Sequence, residues 1–251
     1  MWGSRLLYSF IFIATCFLPH TGAAQSMFDR PAEIVVIQFS PARKDAGSPV
    51  TISCFYYPKF MVKVIKGDPS PNREYASAIV PGSKPSCEKT NRTEDYAGWG
   101  PFTGVRDGFL FFDSGSPGDH GDRGFVITNS NGRMQIFDWK VGTFQSVRLV
   151  LGGVVLRYRR VFPYHCSLYY GPATACWSEI KAATGLTNAS APECRAAYED
   201  LYRTYKMKWP QWAMDFKTHP ATVSYNVEAR VQGREKSFTP TPGSVECWPS
   251  Y

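Results

Sequence analysis

The stretch Phe125-Val126-Ile127-Thr128-Asn129-Ser130-Asn131-Gly132-Arg133-Met134-Gln135-Ile136-Phe137-Asp138 decides how this chain folds. Two runs rich in β-branched and aromatic residues flank an Asn-Gly pair. Asn and Gly tolerate the left-handed backbone of a tight turn, so the stretch predicts a β-hairpin. Similar short runs continue on both sides. Before the hairpin they are Ala32–Phe39, Val50–Tyr57, Phe60–Lys66, Tyr75–Val80 and Gly108–Asp113. After it they are Ser146–Leu151 and Val154–Phe162, around Gly152-Gly153. Each is bounded by Gly, Pro, Ser or Asn, as strands are.

The pattern changes after Cys166. Ala175–Ala183 has helical composition and stops at Gly185, and Pro192 opens a second helix through about Lys206. Tyr198, Leu201, Tyr202 and Tyr205 recur at helical spacing, one apolar stripe read as core packing. Thr222–Val231 alternates Val223, Tyr225, Val227, Ala229 and Val231 with polar residues, the mark of a half-buried strand. The expected fold class is α+β: mostly antiparallel β, with a C-terminal disulfide-clipped helical hairpin and a returning strand. A signal peptide at 1–24, a β-rich region at 25–165 and a helical-hairpin-plus-strand region at 166–251 divide the chain, the last two packing as one unit.

The chain has 251 residues, 43% hydrophobic, 15% aromatic and 20% charged. It can bury a large core, which excludes wholesale disorder. Its start carries one positive charge, Arg5, then the apolar run Leu6–Leu18, then Gly22-Ala23-Ala24. That is the layout of a cleavable export signal. About 13 apolar residues at about 1.5 Å rise reach only about 20 Å, short of a bilayer's roughly 30 Å hydrocarbon core. Ile13-Ala14-Thr15-Cys16 resembles a bacterial lipobox, except that Thr15 stands where Gly, Ala or Ser is usual; the resemblance implies lipidation of Cys16 as a variant of the same export route. No later window is apolar enough to span a membrane.

Beyond Cys16 there are six cysteines: Cys54, Cys87, Cys166, Cys176, Cys194 and Cys247. An even number in an exported chain reads as disulfides, and no C-x-x-C suggests a redox or zinc site. Cys54 and Cys87 are the two that precede residue 165, so they pair. Cys176 and Cys194 fall in neighbouring helices and are expected to clip them together. Cys166 and Cys247 remain, tying the C-terminal tail back.

Phe111-Phe112-Asp113-Ser114-Gly115-Ser116 resembles the aspartic protease signature. That resemblance implies an aspartate sharing a proton with a second one to activate water. The chain has no second Asp-Ser/Thr-Gly, and Pro117-Gly118-Asp119 continues as a polar turn. The stretch is expected to be a strand ending in a capped turn, with a hydrolase using Asp113 and His120 as the alternative. The loop from Asp113 to Asp122 holds carboxylates and His120 but lacks the spacing of a calcium loop. His20, His120, His165 and His219 show no metal-ligand spacing. No cofactor motif is present.

The hairpin at 125–138 is similar to one from a propeller blade, but the likeness does not recur at a fixed period. Several stretches taken together, Cys54-Phe55-Tyr56-Tyr57-Pro58, Asp107–Asp113, Cys176-Trp177 to Gly185 and Cys247-Trp248-Pro249, resemble an uncharacterised group of exported bacterial proteins. The resemblance implies export and architecture, with no known activity.

Formal net charge is +7. Arg157-Tyr158-Arg159-Arg160 and Tyr205-Lys206-Met207-Lys208-Trp209 are its densest basic stretches. Arg157, Arg159, Lys206 and Lys208 are therefore candidate binding residues for a polyanion or anionic surface. Arg157 and Arg159 belong to one face of a strand and Arg160 to the other. In an exported protein the anion is a polysaccharide or lipid head group, not nucleic acid. Asn91-Arg92-Thr93 and Asn188-Ala189-Ser190 are glycosylation sequons. The first functional expectation is a periplasmic or secreted protein that binds an envelope or extracellular macromolecule without catalysis.

Overall fold

The Asn-Gly turn joins strands of the larger of two antiparallel sheets. The structure, a computed structural model, describes residues 26–39, 50–67, 75–87, 100–114, 121–169, 175–208 and 216–250. The smaller sheet runs in the order β1 (Glu33–Phe39), β2 (Val50–Tyr57), β3 (Phe60–Lys66), β4 (Tyr75–Pro81). The larger begins with β5 (Phe102–Arg106), β6 (Phe109–Ser114), β7 (Asp122–Asn129), β8 (Met134–Val150) and β9 (Gly153–Pro163). It continues in β10 (Ala221–Gln232) and β11 (Glu235–Pro240), while β12 (Glu246–Pro249) also pairs with β10. Helices α1 (Ala175–Thr184) and α2 (Arg195–Lys208) fall between β9 and β10. Among the described residues no helix is long and apolar enough to cross a membrane.

Strand β8 sets the shape of the large sheet. Two separate runs, Arg133–Asp138 and Ser146–Leu151, are legible in the sequence, yet they belong to one continuous strand. Its first part pairs with β7 from Met134 to Val141, and it pairs with β9 at Lys140 and Val141 and again from Ser146 to Val150. The register slips between Val141 and Ser146, so Gly142–Gln145 form a wide bulge. A bulge bends its strand and increases its twist. Phe144, inside the bulge, packs edge-on against Phe111, Phe125 and Tyr158 at centroid distances of 5.6, 5.0 and 5.9 Å. The bend thereby closes around an aromatic centre.

One face of this sheet meets the helices. Leu156 and Tyr158 of β9 and Val223, Tyr225 and Val227 of β10 form a buried cluster with Trp177, Ile180 and Tyr198. Of the α2 stripe, Tyr198 and Leu201 are buried while Tyr202 and Tyr205 are half-buried; the Tyr198 hydroxyl donates to the His219 carbonyl at 3.0 Å. The second helix begins at Arg195, later than Pro192, because the Glu193 carboxylate accepts from the Arg195 backbone N–H and stands before the first turn.

The opposite face, over β5 and β6, is covered by the small sheet. Tyr57, Phe60 and Val62 pack on Val105, Leu110 and Phe112. The segment before β1 staples the two sheets. Asp29 donates its N–H to the Val105 carbonyl at 2.7 Å, and Ala32 donates to Tyr56 at 2.8 Å. The Phe28 ring lies on Gly104, where a Cβ would sit 2.5 Å from Phe28 Cγ. Any side chain at 104 would displace that staple. Asp107 and Gly108 turn β5 into β6 with φ of 45° and 77°. Asp29 Oδ2 accepts the Asp107 N–H at 2.6 Å, tying the turn to the staple.

Burial, then the Asp29 charge, push the Tyr57 hydroxyl up to about 12. The unfolded chain ionises tyrosine near about 10. The stabilisation from a neutral buried Tyr57 is therefore complete below about pH 10 and is lost as pH rises toward about 12. Across that window the urea midpoint of wild type should fall relative to that of Tyr57→Phe, and parallel curves would contradict this.

The disulfides are Cys54–Cys87, Cys166–Cys176 and Cys194–Cys247. The first matches the sequence reading. The other two correct it, since Cys176 does not pair with Cys194 and Cys166 does not pair with Cys247. No bridge clips the helices to each other. One ties the start of α1 to the segment leaving β9, and the other ties the start of α2 to β12. The reason is β12. It lies along β10 and brings Cys247 opposite Val223, within the cluster that α2 covers.

The export segment with Cys16 and His20, the sequon at Asn91, His120 and Trp209 lie outside the described residues. Asn188 is exposed after α1.

Candidate functional site

Over Phe137–Lys140 the usual pattern of strand β8 is inverted. Asp138 and Lys140 turn to the core side with Ile136, while Phe137 and Trp139 turn outward, 47% and 38% exposed. Burying an unpaired charge costs several kcal/mol, so the inward charges need partners. The pairing of the strands supplies them. Arg123, Lys140, Arg160 and Tyr225 stand opposite one another across β7, β8, β9 and β10. Asp113, Phe125 and Asp138 form the next row, across β6, β7 and β8. Three cations in line would repel, and the two aspartates beside them offset this. Lys140 Nζ lies 2.9 Å from Asp113 Oδ1, Arg123 3.8 Å from Asp113 Oδ2, and Arg160 Nε 2.9 Å from Asp138 Oδ2.

The network is closed by neighbours. Tyr158 donates its hydroxyl to Asp138. Lys140 also donates to the Gly142 carbonyl at 3.1 Å, inside the bulge. The Arg160 guanidinium lies 3.9 Å from the Phe238 ring centroid, a cation–π contact. Burial alone disfavours charge on Arg160, but Asp138 and the hydroxyls of Tyr225 and Tyr158 outweigh it and hold the guanidinium more firmly protonated. Burial, Asp138 and its hydrogen bond push the Tyr158 hydroxyl far up. Burial also raises Tyr225, against the pull of Arg160.

This assigns Asp113 a structural environment. Its carboxylate is bound by an ammonium that is 3% exposed. Asp138 stands two strands away with Phe125 between them, which at about 4.8 Å per strand separates the backbones by about 9.6 Å. Two carboxylates sharing a proton must be much closer. His120, the other residue of the hydrolase alternative, lies outside the described residues. Among the described residues no group of His, Cys, Asp and Glu is arranged to hold a metal ion.

Arg157 and Arg159 do share the outer face, as the strand period requires. Both have carboxylate partners. Arg157 Nε lies 2.8 Å from Glu228 Oε2, where Arg148 also binds at 3.2 Å, and Arg159 lies 3.2 Å from Glu246. The Arg157 hydrogen bond, with the charges of Arg157 and Arg148, holds the Glu228 carboxyl below the ordinary range. Lys206 and Lys208 end α2, which packs on the other side of the sheet, so the four basic candidates do not form one patch.

The outward face of β8 carries residues the sequence reading passed over. Phe137 and Trp139 meet edge-on at 5.9 Å. Val141 follows them on the same face, opposite Arg159. An aromatic shelf thus runs into the arginine–glutamate rows of β9 and β10. Its signal was Phe137 and Trp139 at alternate positions around Asp138, a pattern that reads equally well with either face inward. Compared with protein-family models, curated proteins and solved structures, the chain matches none.

Proposed function

We propose that this protein is an exported, non-catalytic binding protein that holds an extracellular or envelope polysaccharide on the outer face of β8 and β9. The inversion of β8 carries this reading. A strand that spends buried ion pairs to keep two aromatic rings in solvent uses those rings outside the fold. Aromatic faces stack on the C–H faces of sugar rings. The planar Arg157–Glu228 and Arg159–Glu246 pairs beside them present N–H donors and carboxylate acceptors to ring hydroxyls. The three disulfides suit an oxidising compartment outside the cytoplasm. The inward titratable groups are engaged with one another, which favours binding over an Asp113 hydrolase.

The test is retention on purified peptidoglycan, chitin and cellulose. Wild type should be retained on at least one. Phe137→Ala with Trp139→Ala should weaken retention about tenfold or more; both rings are about half buried, so retention is compared at a temperature where circular dichroism shows the double variant folded. No retention on any of the three, or equal retention by the double variant, would refute it.

A further inference from the structure

Two turns distant in sequence meet in space. The turn between β7 and β8 and the turn between β10 and β11 line one cleft of 360 Å³. Its walls are Asn129, Arg133, Met134, Gln135, Gly233, Arg234 and Lys236, three cations and no carboxylate. Glu235 pairs with Gln232 on the outer face of the sheet, whereas Lys236 pairs with the core-side Val231. The acid therefore belongs to the other side of β11. Neither arginine nor the lysine has a carboxylate partner among the described residues, in contrast to Arg157 and Arg159.

The first turn is held rigidly. Asn129 Oδ1 accepts from the backbone N–H of Asn131 at 3.1 Å and of Arg133 at 3.0 Å. The Arg133 carbonyl accepts from Asn129 N–H at 3.0 Å and from the Gln135 side-chain amide at 2.9 Å. On the other side, Gly233 turns with φ of 59°, and the Gln232 side-chain amide donates to the Leu151 carbonyl at 2.8 Å, pinning the end of β10. The backbones that carry Arg133 and Arg234 are thus fixed, so binding need not order the two turns. A guanidinium offers a planar pair of N–H donors that matches two oxygens of a tetrahedral oxyanion, and the ammonium adds a point charge.

We propose that this cleft is a second binding site, independent of the aromatic shelf, for a small ligand bearing a phosphate monoester. The volume lies at the small end of ligand sites, about 300–1,000 Å³, which suits a group of sugar-phosphate size and not a polymer chain. Arg133 and Arg234 clasp the phosphate oxygens from opposite turns, and Lys236 supplies the third charge.

The probes are hexose 6-phosphate, unphosphorylated hexose and inorganic phosphate, titrated calorimetrically into the full mature chain at low salt. Hexose 6-phosphate should bind saturably and the bare hexose should not. Weaker affinity for inorganic phosphate is expected, since the cleft also holds the sugar; affinity equal to that of hexose 6-phosphate would overturn the monoester assignment. Arg133→Ser and Arg234→Ser should each weaken binding about tenfold, and together should abolish it. Circular dichroism and the thermal midpoint of these exposed-site variants should stay at wild type. The Trp139→Ala variant should bind the phosphate ligand normally, which separates this site from the polysaccharide reading. Absence of saturable binding by both phosphate probes would overturn the proposal, as would binding that the folded double serine variant retains.

Discussion

Arg160→Met destabilises the protein by about 3–5 kcal/mol, the expected cost of leaving one member of a buried ion pair behind. The Asp138 side chain is 8% exposed and Arg160 lies 2.9 Å away. Without that guanidinium, Asp138 retains the Tyr158 hydroxyl but no cation among the described residues. The same change removes the hydrogen bond to Tyr225 and the cation resting on Phe238. The decisive comparison is Asp138→Leu with Arg160→Met in one chain. A hydrophobic replacement of both charges is often neutral or stabilising, so the double variant should be more stable than either single one. Urea denaturation of the four proteins gives the coupling directly. A single variant as stable as wild type, or a double variant no better than the singles, would show that Asp138 is solvated and the row of charges is not interior.

Replacing Cys194 and Cys247 together by serine has the next largest effect. The two are 53 residues apart, and loop-closure reasoning puts the loss at about 4 kcal/mol. Cys166 and Cys176 are only 10 apart, for which the same reasoning gives about 3 kcal/mol. The ranking has a structural cause. Cys194–Cys247 carries the tail strand β12 back onto β10, so its loss frees that strand as well as the start of α2. Non-reducing peptide mapping should recover Cys54–Cys87, Cys166–Cys176 and Cys194–Cys247. A peptide joining Cys176 to Cys194 would restore the helical clip and overturn the arrangement.

Local patterns were legible where one residue type has one structural consequence. Asn131-Gly132 gave the hairpin because few backbones other than a tight turn suit that pair. The alternation of β10 gave both a strand and its buried face, because Val223, Tyr225 and Val227 are all apolar against polar neighbours. Gly185 gave the end of α1, with φ of 77°. The short strands β5, β11 and β12 were not legible. Phe102–Arg106, Glu235–Pro240 and Glu246–Pro249 are brief and partly polar, and a long neighbour induces them. The same holds for the bulge in β8, since nothing local at Gly142–Gln145 says that the chain continues as a strand.

The functional groups divide in the same way. Asp113 was visible as a motif, but its role depends on Lys140 and Arg123, which come from other strands. Phe137 and Trp139 were visible as residues, but their exposure depends on which face of β8 turns inward. The cleft at Arg133, Arg234 and Lys236 joins two turns about 100 positions apart in the chain, a juxtaposition that no periodicity encodes.

By itself the sequence determined the β-rich α+β class, the hairpin at 125–138, the faces of β9 and β10, and the Cys54–Cys87 pair. These depend on backbone preference and alternation within a few residues. Only the tertiary structure decided the remaining two disulfides, the pairing of Asp113 and Asp138 with cations, and the outward turn of Phe137 and Trp139. Each of those depends on register between strands. A shift of one residue exchanges the two faces of a strand, and the energy that forbids the shift lies in the partner strands.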